Sequence, residues 1–294
     1  MNYTVLPDQP LVIPEFEAAG VHVSIRRYDL IHPEASGNKL FKLNYWLQPV
    51  RTGDRILSFG GAFSNHLLAL AAVGQRNGFH TIGVIRGERP AQLNAWLNRM
   101  EELGMQLQFI SREKYKLKEE ESFQTELTNR FNTTIVIPEG GAGIAGVSGA
   151  SEMVSEDEPY DWIILPGGTG TTVAGIAKRL QHSTCNILCF QVLKGKGIIR
   201  SEVFRTTGMQ LEAFPNLTIN DEFHSGGYAK YPDDLRDFHS LFADQTRISL
   251  DRVYGIKAMK GLLTLARTGF FKSGTRVLYL HTGGNGPVNQ RLSG

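Results

Sequence analysis

The chain has 294 residues, 41% of them hydrophobic and 20% charged, which is ordinary for a soluble globular enzyme built as one large domain or two small ones. A formal net charge of +2 makes no field that argues for nucleic acid or an anionic membrane as a partner. The first residues, Met1 to Pro7, show neither a basic leader nor an apolar core, and no apolar run approaches the roughly 20 residues a membrane span needs, so a cytoplasmic location is expected.

In chain order the pattern is β then α, repeated. Arg55–Phe59 is a short apolar run that ends in glycines, and Ser64–Arg76 reads as a Leu/Ala-rich helix capped by Ser64 or Asn65. His80–Ile85 is strand-like. Pro90–Leu103 has helical spacing through Leu93, Trp96, Leu97 and Met100. Leu107–Ile110 is a strand candidate, Arg112–Arg130 a polar helix with a solvated face, and Thr134–Ile137 another strand before the glycine-rich Gly140–Gly149. Trp162–Leu165 is apolar and runs through Gly167–Thr172 into a helix reaching Leu180. Asn186–Val192 repeats the strand pattern, Gly208–Pro232 is loop-rich, Lys257–Arg267 is a helix, and Val277–His281 is the last strand. Almost wholly apolar strands joined by helices predict an α/β fold with parallel sheets buried on both faces. Two blocks, roughly 50–140 and 155–290, each read as a sheet of their own. The two cysteines, Cys185 and Cys189, fit neither a disulfide framework nor a Cys-x-x-Cys site, so buried reduced thiols are expected, and no metal site is expected.

In such folds ligands gather where strands end and glycines turn the chain into helix N-termini. Gly167–Thr172 is such a place: its helix start and the hydroxyls of Thr169, Thr171 and Thr172 suit a phosphate. It lacks the Gly-Lys-Ser/Thr of a nucleoside-triphosphate loop and the G-x-G-x-x-G of a dinucleotide fold. A purely structural tight turn is the alternative. Lys39, in the Gly37-Asn38-Lys39 turn, has Lys42 one helical turn on, and the neighbouring positive charge would lower its amine pKa. Standing alone, such a lysine would be a solvated charge in a loop. Ser64-Asn65-His66 reads either as a plain helix cap or as a seat for a carboxylate. A lysine that can form a Schiff base and a turn that can hold a phosphate are two needs of a pyridoxal-phosphate enzyme.

Together these residues resemble the 1-aminocyclopropane-1-carboxylate deaminase / D-cysteine desulfhydrase family, pyridoxal-phosphate enzymes of the tryptophan-synthase-β type (fold type II). The likeness is carried by Gly-Asn-Lys-x-x-Lys-Leu at 37–43, Ser-Asn-His at 64–66 and Pro-Gly-Gly-Thr-Gly-Thr-Thr at 166–172. It continues through Gly-Gly-Tyr at 226–228, Val-Tyr-Gly-x-Lys-Ala-Met at 253–259 and His-Thr-Gly-Gly at 281–284. The resemblance implies two open, twisted, mostly parallel sheets with helices on both faces. Residues 1–45 and 150–294 would form the larger, cofactor-binding domain, and 46–149 a smaller inserted one. It implies pyridoxal 5'-phosphate as cofactor and a Schiff base on Lys39. Lys42, Gly168, Thr169, Gly170, Thr171 and Thr172 would hold the phosphate, Asn65 the ring hydroxyl oxygen, and Thr282 the pyridine nitrogen. Ser64, Asn65 and His66 would receive the substrate carboxylate, and Lys39, Ser64, Tyr228 and Tyr254 are the catalytic candidates. A small amino acid is the expected partner, with no nucleic acid or membrane, in a homodimer.

The chain departs from the resembled deaminases at two places. They carry Glu after the second tyrosine, where this chain has Gly255, and Leu after the last-strand histidine, where it has Thr282. The desulfhydrases carry small or hydroxyl residues at both. A β-elimination of D-cysteine to pyruvate, sulfide and ammonia is therefore the leading expectation. A cyclopropane-carboxylate deaminase is the alternative, and a non-catalytic binder of the cofactor or a dinucleotide protein the rivals from other classes.

Overall fold

The computed structural model describes residues 7–32, 34–227, 230–284 and 286. The strands are β1 (Gln9–Pro10), β2 (His22–Arg27), β3 (Arg55–Gly60), β4 (His80–Arg86), β5 (Gln106–Ile110), β6 (Ile135–Ile137), β7 (Trp162–Gly167), β8 (Asn186–Gln191), β9 (Leu217–Asn220) and β10 (Arg276–His281). The α-helices are α1 (Pro14–Ala18), α2 (Asn38–Trp46), α3 (Asn65–Asn77), α4 (Ala95–Glu102), α5 (Arg112–Tyr115), α6 (Glu121–Phe131), α7 (Ile144–Ser151), α8 (Thr171–Arg179), α9 (Ile198–Thr207), α10 (Asp233–Thr246) and α11 (Gly255–Arg267). A six-stranded sheet runs β1-β2-β10-β7-β8-β9, parallel except at β1, and a four-stranded parallel sheet runs β5-β4-β3-β6. The α/β class with two open, mostly parallel sheets is as the sequence predicts.

Both faces of the larger sheet are buried, which is why its strands read as continuous apolar runs. Ile164, Leu188, Val277 and Tyr279 face α1, α10 and α11. Their chain neighbours Ile163, Ile187, Leu278 and Leu280 face α7, α8 and α9 on the other side. The smaller sheet is built alike, with Ile56 and Ile85 against α2, α3 and α4 and with Leu57, Phe59, Ile82 and Val84 against α5 and α6. Cys185 and Cys189 are buried free thiols, and burial pushes Cys185 up to about 12.

Three elements differ from their sequence reading. The helix expected from Pro90 starts only at Ala95, because the Asn94 side chain accepts the Leu97 N–H at 3.0 Å and caps it there. The polar helix expected over 112–130 is broken. α5 passes through a 3-10 turn at Lys116–Glu119, Glu120 is extended, and α6 begins anew. Tyr115 before the break and Phe123 after it are buried in one cluster. The glycine-rich 140–149 segment is largely helix: α7 is wedged between α2 and α8. A Cβ on Gly149 would stand 2.1 Å from the Phe41 carbonyl oxygen of α2, and one on Gly175 of α8 would stand 2.5 Å from the Val147 carbonyl oxygen. The missing side chains are what bring the lysine helix and the threonine helix to one place.

Candidate active site

Lys39 lies in the first turn of α2 and not in a loop. Gly37 precedes the helix with φ of 71°, and a Cβ there would sit 1.9 Å from the Thr282 carbonyl oxygen. That oxygen accepts the Asn38 N–H at 3.1 Å. The start of α2 is thus docked on the end of β10 at a separation only glycine permits. The Asn38 side chain holds two further parts together, since its Oδ1 accepts from Lys39 Nζ at 2.9 Å and its Nδ2 donates to Thr172 Oγ1 at 2.8 Å.

Burial lowers the Lys39 amine to about 8, against the pull of the Asp251 carboxylate. Lys42, 1% exposed, is pushed well below its ordinary value by burial and then by the Lys39 charge. The expectation was that the Lys42 charge would lower Lys39; loss of water is what lowers it, and the charge acts in the other direction, from Lys39 on Lys42. No carboxylate among the described residues offsets Lys42. A buried cation without a counter-ion is costly, and an anion brought by a ligand removes that cost.

The turn after β7 supplies the rest. Gly170, with φ of 75°, caps α8, and the first-turn N–H groups of a helix have no carbonyl of their own to bond. One of them is spent inside the turn, Thr171 N–H on the Thr169 carbonyl at 2.9 Å. Thr171 and Thr172 are buried, and the Thr171 hydroxyl has no partner among the described residues. Gly168 packs against Tyr254, whose Cε1 would be 2.7 Å from a Cβ added there. Tyr254 is held by Asp251. Asp251 Oδ1 accepts the N–H groups of Tyr254 (2.7 Å) and Val253 (3.0 Å), and Oδ2 accepts that of Gly255 (2.7 Å).

The third strand end carries Ser64-Asn65-His66. Ser64 caps α3, accepting the Leu67 N–H at 3.2 Å. Asn65 Oδ1 accepts from Trp96 Nε1 at 2.9 Å, and Asn65 Nδ2 donates to the Gly284 carbonyl at 3.2 Å. An indole can only donate and a carbonyl only accept, so the amide orientation is fixed and one Nδ2 proton remains for a ligand. His66 is 2% exposed and bonds Ser58 through Nε2. Thr282 follows β10, its carbonyl oxygen bonded to the Asn38 N–H, and Tyr228 lies outside the described residues.

The folded chain thus brings Lys39, Lys42, the 168–172 turn, Ser64-Asn65-His66, Tyr254 and Thr282 into one region, linked through Asn38, Gly141, Asp251 and Gly284. Sequence reading missed three supports. Trp96 looks like a core position of a helix. Asp251 precedes the motif it braces. Lys257, 1% exposed, donates to the carbonyls of His224 (3.0 Å) and Gly227 (2.6 Å) and so fixes the loop leading to Tyr228. An open cavity of about 620 Å³ at the ends of β3, β4 and β5, lined by Ala62, Arg86, Asn94, Phe109 and Arg112, does not include Lys39.

Known proteins resemble this chain over nearly its whole length. A provisionally named 1-aminocyclopropane-1-carboxylate deaminase of Pyrococcus horikoshii is 28% identical over 284 residues, covering 90% of this chain and 85% of the relative. One of the same provisional name from Thermotoga maritima is 28% identical over 287 residues, covering 91% and 90%. The crystal structure of an ACC deaminase homologue superposes with a TM-score of 0.79 at 25% identity, covering 99% of this chain and 94% of that one. The family model for pyridoxal-phosphate dependent enzymes matches residues 10–283, and the chain belongs to that family.

Proposed function

We propose that this pyridoxal-phosphate dependent enzyme eliminates the β-substituent of a small amino acid, with D-cysteine as the leading substrate and pyruvate, sulfide and ammonia as products. The residues present fit the cofactor. Lys42 is a buried amine without a carboxylate, so an anion would favour its charged form, the Thr171 hydroxyl is a buried group without a partner among the described residues, and α8 opens in the same region. These, with Gly168, Thr169, Gly170 and Thr172, would hold the phosphate. Lys39 would bind the cofactor's carbonyl carbon, the spare proton of Asn65 its ring oxygen, and Thr282 its ring nitrogen. When bound, pyridoxal phosphate stabilises negative charge on the carbon beside the substrate's amino group.

The protein's own groups do the rest. Burial leaves part of the Lys39 amine unprotonated near neutral pH, so once freed it is the base for the Cα proton. The free N–H groups in the first turn of α3 receive the substrate carboxylate. Tyr254 and Tyr228 would flank the substrate, and Ser64 would stand beside it. Loss of thiolate from Cβ and addition of one water then give the three products. A homodimer is part of the same reading.

The observation that carries the substrate choice is Gly255. A Cβ there would stand 2.9 Å from Asp251 Oδ2, the oxygen that already accepts the Gly255 N–H. A glutamate would disturb the brace that holds Tyr254. The ring nitrogen would then be left with the neutral Thr282 hydroxyl, which would make a weaker electron sink. That suffices to help expel a thiolate and is poorly suited to opening a cyclopropane. The names of the relatives favour the second reading, 1-aminocyclopropane-1-carboxylate deamination. A side-by-side assay decides: sulfide and pyruvate from D-cysteine, against 2-oxobutanoate and ammonia from the cyclopropane amino acid. Turnover of the second with none of the first overturns the proposal.

A further inference from the structure

His66 was expected to meet a carboxylate, and its hydrogen bonds point to another role. Ser58 Oγ on β3 lies 2.8 Å from the Ile137 carbonyl oxygen and 2.8 Å from His66 Nε2. A carbonyl only accepts, so the single hydroxyl proton is committed to Ile137. The ring must supply the proton of the second bond, and Nε2 carries it. Burial and the charges of Lys39 and Lys42 push the ring's pKa down to about 3, so it is neutral in the working range. A neutral ring with its proton on Nε2 has a bare Nδ1. That nitrogen is buried and has no partner among the described residues. A Cβ on Gly141 would stand 3.6 Å from His66 Nδ1 and 3.2 Å from Lys42 Cβ, so the ring and the Lys42 stem flank one glycine.

A buried bare nitrogen beside two lysines cannot donate to a carboxylate. We propose that Ser58 fixes His66 as the Nε2–H tautomer and that His66 Nδ1 accepts a hydrogen bond from the Lys42 ammonium, turning the other Lys42 protons toward the cofactor phosphate. The substrate carboxylate is then left to the backbone N–H groups of α3. Ser58 acts through His66 and Lys42, as a positioning residue. The inference rests on the reading of this pocket as the phosphate site, yet its first test is independent of that reading.

The test is nitrogen-15 NMR of histidine-labelled protein, free of cofactor and loaded, with His66 assigned from the His66→Gln spectrum. The expected result is a protonated Nε2 and a bare Nδ1 in both forms, with no titration from about pH 5.5 to 8.5. A protonated Nδ1 overturns the proposal, whether or not the protein binds cofactor. In the loaded enzyme, Ser58→Ala and His66→Phe should raise the cofactor dissociation constant about 10-fold, the effect of losing one charge-assisted bond, while KM changes by less than about 3-fold. A raised KM with unchanged cofactor affinity would mark His66 as the carboxylate's donor and also overturn it. Should either variant fail to fold, the spectrum of the unmodified protein decides.

Discussion

At Lys39 burial sets the balance between charge and nucleophilicity. The amine is lowered from 10.5 to about 8. Below about pH 8 it is mostly ammonium, and above it mostly free amine. Addition of pyridoxal phosphate to the cofactor-free protein should therefore accelerate with pH and level off above about 8, where an exposed lysine would keep accelerating to about 10.5. A plateau only near the exposed value would refute the burial argument. Stability has the same sign. The folded chain binds fewer protons than the unfolded one between these two values, so the cost of burying Lys39 is full below about pH 8 and fades as pH rises toward 10.5. Lys39→Ala should abolish turnover and the visible absorbance of the lysine-linked cofactor without unfolding the chain. Retention of both in Lys39→Ala, with their loss in Lys42→Ala, would exchange the two roles. The sequence shows these lysines because Gly-Asn-Lys-x-x-Lys is local. It does not show the tautomer of His66, which depends on the Ile137 carbonyl on another strand, or the Lys257 bond to Gly227, 30 residues away.

Among elements, the junction of α2 with α8 decides whether the pocket forms. The bond from Asn38 Nδ2 to Thr172 Oγ1, at 2.8 Å, links the two helix starts. Thr172→Val keeps the shape and removes the acceptor, leaving a donor unmatched in a half-buried place. A loss of about 1–2 kcal/mol is expected, read as roughly a 10-fold weaker hold on the cofactor and a lower melting temperature. Unchanged cofactor affinity would show that the two helices are held by packing alone. The strands were legible because burial on both faces makes them apolar throughout. The helices were legible only where one face carries the pattern. α7 escaped because its glycines serve close packing and imitate a loop. The 112–130 segment misled because the 3-10 turn at Lys116–Glu119 and the extended Glu120 interrupt a polar run that gives no sign of a break.

Over the whole molecule, the six-stranded sheet takes strands from both ends of the chain, and the four-stranded sheet lies wholly within 55–137. We propose that 1–45 with 150–294 and the inserted 46–149 are the two folding units; the site lies where they meet. Trp96 is a tie between them. From α4 its Nε1 donates to Asn65 Oδ1, Asn65 Nδ2 donates to the Gly284 carbonyl beyond β10, and a Cβ on Gly286 would lie 2.0 Å from the indole. The spacing that makes Trp96 look like a core residue says nothing of this, because Asn65 is 31 positions away and Gly286 is far along the chain, beyond β10. Trp96→Phe keeps an aromatic ring at this position, next to Phe63, but makes it smaller and removes the N–H. Asn65 then loses the donor that fixes its amide, which is free to flip and to present its oxygen where a ligand needs a proton. The expected outcome is a drop of about 10-fold in kcat/KM, with a melting temperature near that of the parent. Asn65→Ala should cost more, and adding Trp96→Phe to it should cost little further, since both changes act through one amide. Additive losses would mean that Trp96 serves the fold and not the site.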